Sequence, residues 1–453
     1  METPRPRLDS SARRPTWFRY VVLGGLCLAA ALAYVPRNSI SVVESTIRDE
    51  LGLTKDDTRW IITGFFLTYA FLQIPSGQVG HHWGTRRSLP LFSVLNSLAT
   101  LLFSVAPGLV LLIATRMIMG VAQAGYFPCS TITIGKWFAK RQQAFASGML
   151  ASAMSIGAGL GTFITGYLLL DIGWRSIFAW YAVPGLLWAA WFHWMFRDWP
   201  RGHPSVNEAE LALIRQGQPP GEGESDAADP TDSPPRRGPD ESRSTPWSRL
   251  AASPALWAIC AQQFCRAAGY MFYGSWFATF LQESRGVSIA ESGLLNSLPI
   301  IATVLGGPAG GWFSDWLLAR TGNPRLARQG IAAASMLGCA GLIFAAYGVR
   351  DARLAVLLIS AGAYCAAFGG PISYTITIDM GGKHVAPVFS TMNMVGNIGA
   401  LSFPIIVPEL LRWSDNDWNS VMALFGGLYL LAALFWLMLN PRGDVLDQSL
   451  LKD

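Results

Sequence analysis

The sequence has few charged residues for its length. Only 14% of its 453 residues are Asp, Glu, Lys or Arg, whereas a soluble globular protein carries about 25%. Hydrophobic residues make up 51% of the chain, and the mean hydropathy is +0.32. A soluble fold cannot shield this much apolar surface from water. The composition therefore argues against a soluble enzyme and predicts a membrane protein that lies in a lipid bilayer.

Sequence motifs for catalysis, cofactor binding and metal binding are also missing. There is no Walker loop, no Gly-rich nucleotide loop and no nucleophile triad, so we expect neither an enzyme nor an ATP-driven pump, and no cofactor. The six Cys residues lie in apolar stretches without metal-ligand spacing and read as packing residues. A net charge of +5 is too small to indicate a nucleic-acid partner.

Twelve apolar runs are long enough to cross a bilayer as helices. Such a span needs about 20 apolar residues, and a helix satisfies its own backbone hydrogen bonds in lipid. The runs fall at 18–42, 58–80, 88–107, 109–135, 143–169, 175–196, 253–282, 292–314, 328–348, 353–378, 386–411 and 418–439. They predict an all-α membrane protein with twelve transmembrane helices in two pseudo-symmetric six-helix bundles.

The sixth and seventh runs are separated by a Pro-, Gly- and acid-rich stretch that cannot bury a core. Lys and Arg are concentrated in the loops on the side of the chain termini, which places that side in the cytoplasm of a cell membrane protein. The predicted regions are a cytoplasmic tail at 1–17, an N-terminal six-helix bundle at 18–196, a largely disordered cytoplasmic linker at 197–252, a C-terminal six-helix bundle at 253–439 and a cytoplasmic tail at 440–453.

An internal repeat supports the division into two halves. The segment SGQVGHHWGTRRS (76–88) follows the second run, and GGWFSDWLLARTG (310–322) follows the eighth. Gly77 and Gly311 occupy matching places in the two segments. Many secondary transporters consist of two such repeats, with the substrate site between them near the middle of the membrane.

These segments are similar to those of a known family. Gly77, Gly84, Arg86, Arg87 and Asp315 match the cytoplasmic signature of the major facilitator superfamily. More narrowly, the chain resembles the anion:cation symporter family, which includes bacterial sugar-acid transporters and animal phosphate, sialate and glutamate carriers. The narrower resemblance rests on YVPRNSISV (34–42), YAFLQIPSG (69–77), DWPRGHPSVNEAELALIRQG (198–217) and LPIIATVLGGPAGGWFSDWLLAR (298–320). It implies transport of an organic anion by alternating access.

The chain departs from this family at three positions. Where many proton-coupled members have an Asp before the Arg of the first span, this sequence has Pro36, which should also kink the helix. The Glu of the fourth span is replaced by Gln123, and the Asp of the first signature by His81. We therefore do not expect this chain to share the carboxylate-based proton coupling of those family members. Protons or sodium remain candidates for a coupling ion, and transport without coupling is an alternative.

Arg37 is the first candidate for substrate binding. A guanidinium inside a span costs several kcal/mol unless it is paired or hydrated, so it usually faces a water-filled path or the bundle interior. Its planar fork matches a carboxylate or a phosphate. Tyr34 lies one turn away on the same helix face. The alternative is that Arg37 extends to the outer membrane interface.

Further candidates lie in spans that line the cavity in this superfamily. Arg266, near the middle of the seventh span, is either a second anion ligand or a structural residue. Gln123 suits either a substrate hydroxyl or a helix–helix bond. Aromatic and amide groups suit a hydroxylated ligand, although they also serve in packing and as interface anchors. These remaining candidates are Tyr69, Tyr270, Tyr273, Trp276, Tyr374 and Asn393.

The sequence thus predicts a monomeric secondary active or facilitative transporter of a small organic anion, such as a sugar acid or a related carboxylate. One alternative is an organophosphate/phosphate antiporter, since such proteins use one Arg in each half. Another is a membrane sensor that kept the fold and lost transport. A multidrug exporter is disfavoured, because apolar cations need no Arg at their site.

Overall fold

We analysed a computed structural model that describes residues 14–216, 246–441 and 443–446. The described residues form helices and connecting loops, arranged as two bundles of six spans. The spans are Phe18–Leu51; Lys55–Phe71 with Gln73–Trp83; Thr85–Ser104; Leu109–Ala124 with Tyr126–Trp137; Gln143–Met195, which holds the fifth and sixth; Pro254–Ser275 with Phe277–Arg285; Ile289–Thr321; Arg325–Gly330 with Ile331–Tyr347; Ala352–Gly381; Val385–Trp413; and Trp418–Met438.

The outer surface of the bundles is apolar. Seven helical stretches in the described part of the chain are long and apolar enough to cross a membrane on length and composition alone. Large side chains point outward, including Phe163 at 72% exposure and Trp194 at 77%. In water these would form an aggregation-prone surface, whereas in lipid they match the hydrocarbon chains. The predicted fold class of twelve membrane helices in two bundles is confirmed.

Local sequence determines where helices begin and break. The second span starts with a capping box between Thr54 and Asp57, and the tenth is capped by Asp351, whose carboxylate accepts from the Leu354 amide at 2.7 Å. The fifth and sixth spans separate at Gly173, where φ is 69° and ψ is 159°. Only glycine adopts this conformation without steric cost, so the chain reverses direction there.

The start of the predicted linker (197–252) is folded over the residues that the structure describes. Asp198 accepts hydrogen bonds from the backbone N–H of Thr85 at 2.6 Å and from its hydroxyl at 2.8 Å. A further helix follows at Glu208–Ile214. The Pro- and Gly-rich residues 217–245 lie outside the described residues, so the prediction for them stays a prediction. The average composition of the whole segment gave no indication of this anchoring carboxylate.

Glu210 ties this folded segment to the first span. Its carboxylate is fully buried and accepts from the Arg19 guanidinium at 3.2 Å and from the amides of Phe18 and Arg19 at 3.1 Å each. The hydroxyl of Thr16 donates to the same carboxylate. A carboxylate at a helix N-terminus also interacts favourably with the helix dipole. The start of the first span is therefore held against the end of the N-terminal bundle.

Replacing Glu210 with Gln should lower the free energy of unfolding by about 3 kcal/mol, because it leaves the buried Arg19 guanidinium without a counter-charge. Thermal unfolding of the purified protein in detergent would measure the loss. Glu208→Gln is the matched control, since Glu208 lies exposed on the same helix. Equal unfolding temperatures for the two variants would contradict the role given to Glu210.

The two bundles touch near the end of the molecule that carries Glu208–Ile214, which we call the linker side. Here the start of the fifth span meets the end of the eighth. Hydrogen bonds between the bundles include Phe145 N to Asp315 Oδ2 at 2.8 Å, Ser152 Oγ to the Val304 carbonyl at 2.7 Å, and Arg328 Nη2 to the Lys140 carbonyl at 2.9 Å. The linker side is therefore closed in this conformation.

The repeated glycines lie at this contact. A Cβ atom on Gly77 would collide with the Ser390 hydroxyl of the C-terminal bundle, and one on Gly311 would collide with the Ala144 carbonyl oxygen of the N-terminal bundle. The repeat detected in the sequence thus marks equivalent points of close approach. By contrast, a Cβ atom on Gly310 would meet the Phe368 carbonyl within the same bundle.

This geometry distinguishes two adjacent substitutions. Gly311→Ala should reduce transport about tenfold or more with little change in the temperature of thermal unfolding. The added methyl group overpacks the contact between the bundles, which costs about 1–3 kcal/mol and opposes their closure. Gly310→Ala should lower the unfolding temperature, because it separates the eighth and tenth spans. Gly427→Ala is the control, as no atom lies within 4 Å of the added Cβ. The interpretation would be wrong if both variants affected stability alike.

Candidate substrate-binding site

Arg37 lies in an aromatic cage in the N-terminal bundle. The guanidinium carbon is 4.6 Å from the ring centroids of Tyr34 and Tyr69, 4.7 Å from that of Phe65 and 5.4 Å from that of Phe66. Tyr34 comes from the same helix, and the others from Lys55–Phe71. Ring faces attract a cation and stabilise it by about 0.5–2 kcal/mol each. The cage holds Arg37 inside the bundle.

No carboxylate is paired with Arg37 among the described residues. Its Nη1 atom is buried and lacks a hydrogen-bond partner there, while the side chain as a whole is half-buried. The tyrosine hydroxyls of the cage interact with the guanidinium but carry no charge. An arginine held by neutral groups, with a free donor, retains its capacity to bind an anion.

A second arginine lies beneath the first. Arg116 is 1% exposed, and its Nη2 donates to the backbone carbonyl of Arg37 at 3.4 Å. Its guanidinium carbon lies 5.0 Å from the Phe65 ring centroid, and Nη1 contacts the Met119 sulfur at 3.3 Å. The two guanidiniums repel each other electrostatically. Arg116 thus supports the backbone of the first span and adds positive potential behind Arg37.

Arg266 is the corresponding cation of the C-terminal bundle. Its Nε donates to Gln263 Oε1 at 3.1 Å, and its Nη2 donates to the Tyr374 hydroxyl at 3.3 Å. Both partners are neutral, and the side chain is half-buried. The Tyr374 ring lies 5.2 Å from that of Phe127, which belongs to the N-terminal bundle. The structure therefore places Tyr374, the partner of Arg266, at the contact between the two bundles.

Aromatic residues close the space between the bundles on the linker side. Phe127 of the fourth span lies 5.2 Å from the Tyr374 ring centroid and stacks on Phe389 at 5.7 Å. Tyr374 and Phe389 are 5.8 Å apart. One ring comes from the N-terminal bundle and two from the C-terminal bundle. Together they form an apolar floor that separates the arginines from the linker side.

Tyr270 and Asn393 also lie near this space. Tyr270 is 41% exposed although it lies in the middle of its span, and its hydroxyl interacts with Ser155 of the N-terminal bundle and Thr303 of the C-terminal bundle. Asn393 is one helical turn beyond Phe389, and its Nδ2 is buried without a partner among the described residues. The Asn393 amide therefore keeps a donor without a partner among the described residues.

The structure places three predicted site residues elsewhere. Gln123 is 3% exposed and donates to the Ala33 carbonyl at 2.8 Å and to Asn96 Oδ1 at 3.0 Å, which is the helix–helix bond that the sequence left open as an alternative. Tyr273 packs inside the C-terminal bundle at 5.4 Å from Phe425. Trp276 lies 6.4 Å from Trp418 near the far end of its span. We leave these three out of the site.

Several functional neighbours were not predicted from the sequence. Phe65 and Phe66 look like lipid-facing or core residues in an apolar span, and only the packing shows that they surround Arg37. Breaks in the helices are a better indication of the site's position than the apolar residues around it. The second, fourth and seventh spans are interrupted at Leu72, Gly125 and Trp276, and discontinuous helices often surround transporter sites.

Glu44 and Asp379 lie toward opposite ends of the bundles, and each is part of an ion pair. Glu44 pairs with Arg48 at 3.1 Å and accepts from the Thr58 hydroxyl at 2.6 Å, beside a cavity of about 330 Å³ at the end opposite the linker side. Asp379 pairs with Arg328 at 3.3 Å on the linker side. No cluster of His, Cys, Asp and Glu in the described residues is suited to a metal ion.

Comparison with known proteins agrees with this architecture. The chain is 27% identical over 423 residues to the probable sulfoacetate transporter SauU of Cupriavidus necator, covering 93% of this chain and 94% of that protein. It is 28% identical over 436 residues to the probable galactarate/D-glucarate transporter GudP of Bacillus subtilis, covering 94% and 93%. A D-galactonate transporter of Escherichia coli is 23% identical over 437 residues, covering 96% and 98%.

Solved structures share the fold. The proton:xylose symporter XylE superimposes with a TM-score of 0.68 at 14% identity, over 93% of this chain and 95% of that one. FucP, in its outward conformation, gives a TM-score of 0.65 at 14% identity, over 95% and 99%. The sequence profile of the Major Facilitator Superfamily matches residues 26–404 and, in a second match, 263–451. With its two six-helix bundles, the chain therefore belongs to the Major Facilitator Superfamily.

Proposed function

We propose that the protein is a secondary transporter that carries a small organic anion, a sugar acid or a related carboxylate, by alternating access. The observation that carries this proposal is Arg37, which is held by aromatic rings inside the N-terminal bundle with a free donor and without a carboxylate partner among the described residues. The relatives include a probable sulfoacetate transporter and a probable galactarate/D-glucarate transporter. The carboxylates of such anions match the planar fork of a guanidinium.

In this mechanism the two bundles rock about the arginine-lined space. The anion binds Arg37, while Tyr270, Tyr374 and Asn393 supply donors and aromatic faces for its hydroxyl groups. The closed linker side then opens as the opposite side closes. We assign the linker side and both termini to the cytoplasm, on the strength of the Lys and Arg distribution. One chain supplies both halves of the site, so a monomer suffices.

The test is uptake of labelled galactarate and sulfoacetate into proteoliposomes, with and without an imposed inward proton gradient. Saturable uptake of either anion supports the proposal, and binding without flux would select a membrane sensor instead. Accumulation driven by the gradient would identify a proton symporter, with Glu44 and Asp379 as the first residues to substitute. Equilibration alone would identify a facilitator or an exchanger, and a sodium gradient tests the other coupling ion.

Phosphate ester exchange is the second candidate, and the observation that favours it is an arginine in each bundle. Neither Arg37 nor Arg266 has a carboxylate partner among the described residues. Inhibition of uptake by inorganic phosphate in the same assay would favour the antiporter. Resistance to inorganic phosphate at high concentration would favour the organic acid.

A further inference from the structure

We propose that the cavity at the end opposite the linker side is a second anion site, where Arg48 captures the substrate before it reaches Arg37. We call this cavity the distal cavity, and its volume is about 330 Å³. Its lining residues are Glu44, Arg48, Thr58, Arg59, Ile62 and Thr63. The inference rests on the proposed function and adds to it the place where the organic anion first binds.

On the first span, one face connects the distal cavity to Arg37. Glu44 and Arg48 follow Arg37 by seven and eleven residues, which are about two and three helical turns, so the three side chains lie on one side of the helix. Leu28, which is 48% exposed on the apolar outer surface, precedes Arg37 by nine residues, or about two and a half turns. The face that carries Arg37 and Arg48 therefore points away from the lipid.

The second span has a matching face. Arg59 and Thr63 precede Phe66 by seven and three residues, so this side of the helix also begins at the distal cavity and reaches the aromatic cage. The Phe66 ring centroid lies 5.4 Å from the guanidinium carbon of Arg37. Along the first span, Arg48 is about 16 Å from Arg37. An anion that enters opposite the closed linker side therefore passes Arg48 before it meets Arg37.

The lining of the distal cavity favours an anion. Among the described residues that line it, Arg48 and Arg59 are cations and Glu44 is the one carboxylate. Glu44 accepts from Arg48 Nη1 at 3.1 Å and from the Thr58 hydroxyl at 2.6 Å. Arg48 Nη2 has no hydrogen-bond partner among the described residues. The nearby Asp49, 3.9 Å from Arg48 Nε, has a side chain that is 80% exposed. Arg48 can therefore donate to an incoming carboxylate.

The Arg48–Glu44 pair suits transient capture. The side chains are 23% and 26% exposed, and water weakens an ion pair that it reaches. The carboxylate of a substrate can therefore compete with Glu44 for Arg48, bind weakly and move on. A positive charge at the entrance of a cleft also raises the rate at which anions associate. Arg48 is thus placed to supply the Arg37 site with substrate without retaining it.

The first experiment measures galactarate uptake into proteoliposomes by Arg48→Gln and Arg48→Lys. Arg48→Gln should raise KM about tenfold and change kcat less than about twofold, because a steering charge acts on association. Arg48→Lys should stay within about threefold of the unchanged KM, since it keeps the charge. The effect of Arg48→Gln should shrink in about 1 M salt, where the Debye length is about 3 Å. Arg353→Gln is the control, because Arg353 pairs with Glu291 at the same end of the molecule.

The second experiment detects the site without transport. Thr63→Cys places a thiol in the distal cavity, and its modification by an anionic and a cationic methanethiosulfonate reagent is followed in detergent. Arg48→Gln should lower the rate of the anionic reagent relative to the cationic one about tenfold. Galactarate should slow the modification, and it should still do so in Arg37→Ala. The protein without Thr63→Cys gives the background, since its cysteines are buried or half-buried.

Two results would overturn the second site and leave the proposed function intact. One is protection of Thr63→Cys by galactarate that disappears in Arg37→Ala, because the anion would then bind at Arg37 alone. The other is an unchanged KM of Arg48→Gln at low salt. The proposed function fails in a different way, when neither galactarate nor sulfoacetate is taken up or when Arg37→Ala transports normally. Thermal unfolding of each variant identifies a loss that comes from misfolding.

Discussion

Arg37→Ala is expected to abolish organic-anion transport, with uptake at least about 100-fold below that of the unchanged protein, while the chain still folds. A loss of this size corresponds to about 2.8 kcal/mol, which is within the 2–5 kcal/mol that removal of one partner of a charged hydrogen-bonded pair costs. Folding should survive because Arg37 has no ion-pair partner among the described residues. Uptake into proteoliposomes and gel filtration of the purified variant measure the two effects.

Two further variants sharpen this prediction. Arg37→Lys keeps the charge but not the planar fork, so its uptake should fall about tenfold, between the unchanged protein and Arg37→Ala. Arg412→Gln is the matched control, because Arg412 is an exposed arginine paired with Glu409 at the end of another span. Normal uptake by Arg37→Ala would remove Arg37 from the site.

Arg328→Ala should produce the largest loss of stability, about 4 kcal/mol, together with loss of transport. Arg328 is fully buried and donates to Asp315 and Ser314 at 2.8 Å each, to Asp379 at 3.3 Å and to the Lys140 carbonyl at 2.9 Å. Removing the cation leaves the buried Asp315 carboxylate uncompensated, which costs about 3–5 kcal/mol. Thermal unfolding and uptake are the two measurements.

The loss of stability caused by substitutions around Arg328 should depend on the lengths of its ion pairs. Asp379→Asn should cost less than Arg328→Ala, because Arg328 keeps its shorter pair with Asp315. Arg325→Ala, an exposed position one turn earlier, should leave stability and uptake unchanged. If Arg328→Ala unfolds at the same temperature as Arg325→Ala, the buried network is not what holds this region together.

Much of the fold follows from the sequence, because the bilayer permits few solutions. Runs of apolar residues predict the twelve spans, and the repeat around Gly77 and Gly311 predicts the two bundles. The folded start of the linker was missed, since the burial of Glu210 against Arg19 depends on a tertiary contact between residues 191 positions apart. No local pattern in residues 198–217 indicates such a pairing.

The candidate site could be predicted from the sequence only in part. Arg37 could be identified because a charge inside an apolar span is costly wherever it lies, and Tyr34 and Tyr69 follow from helix geometry and the family pattern. Which partners Gln123 has could not be predicted, because an amide bonds equally well to a substrate hydroxyl and to a neighbouring carbonyl. Only the packing shows that it bonds to Ala33 and Asn96.

The absence of a carboxylate partner for Arg37 among the described residues has an electrical consequence for the proposed transport of an organic anion. A dianion such as galactarate that crosses without accompanying cations carries two negative charges, and each is worth about 2.3 kcal/mol per 100 mV of membrane potential. An inside-negative voltage of 100 mV would thus oppose its inward movement by about 4.6 kcal/mol. Exchange of one dianion for another moves no net charge and is insensitive to this voltage. Without a co-transported cation, the resting voltage of a cell therefore favours exchange or outward flow through this protein.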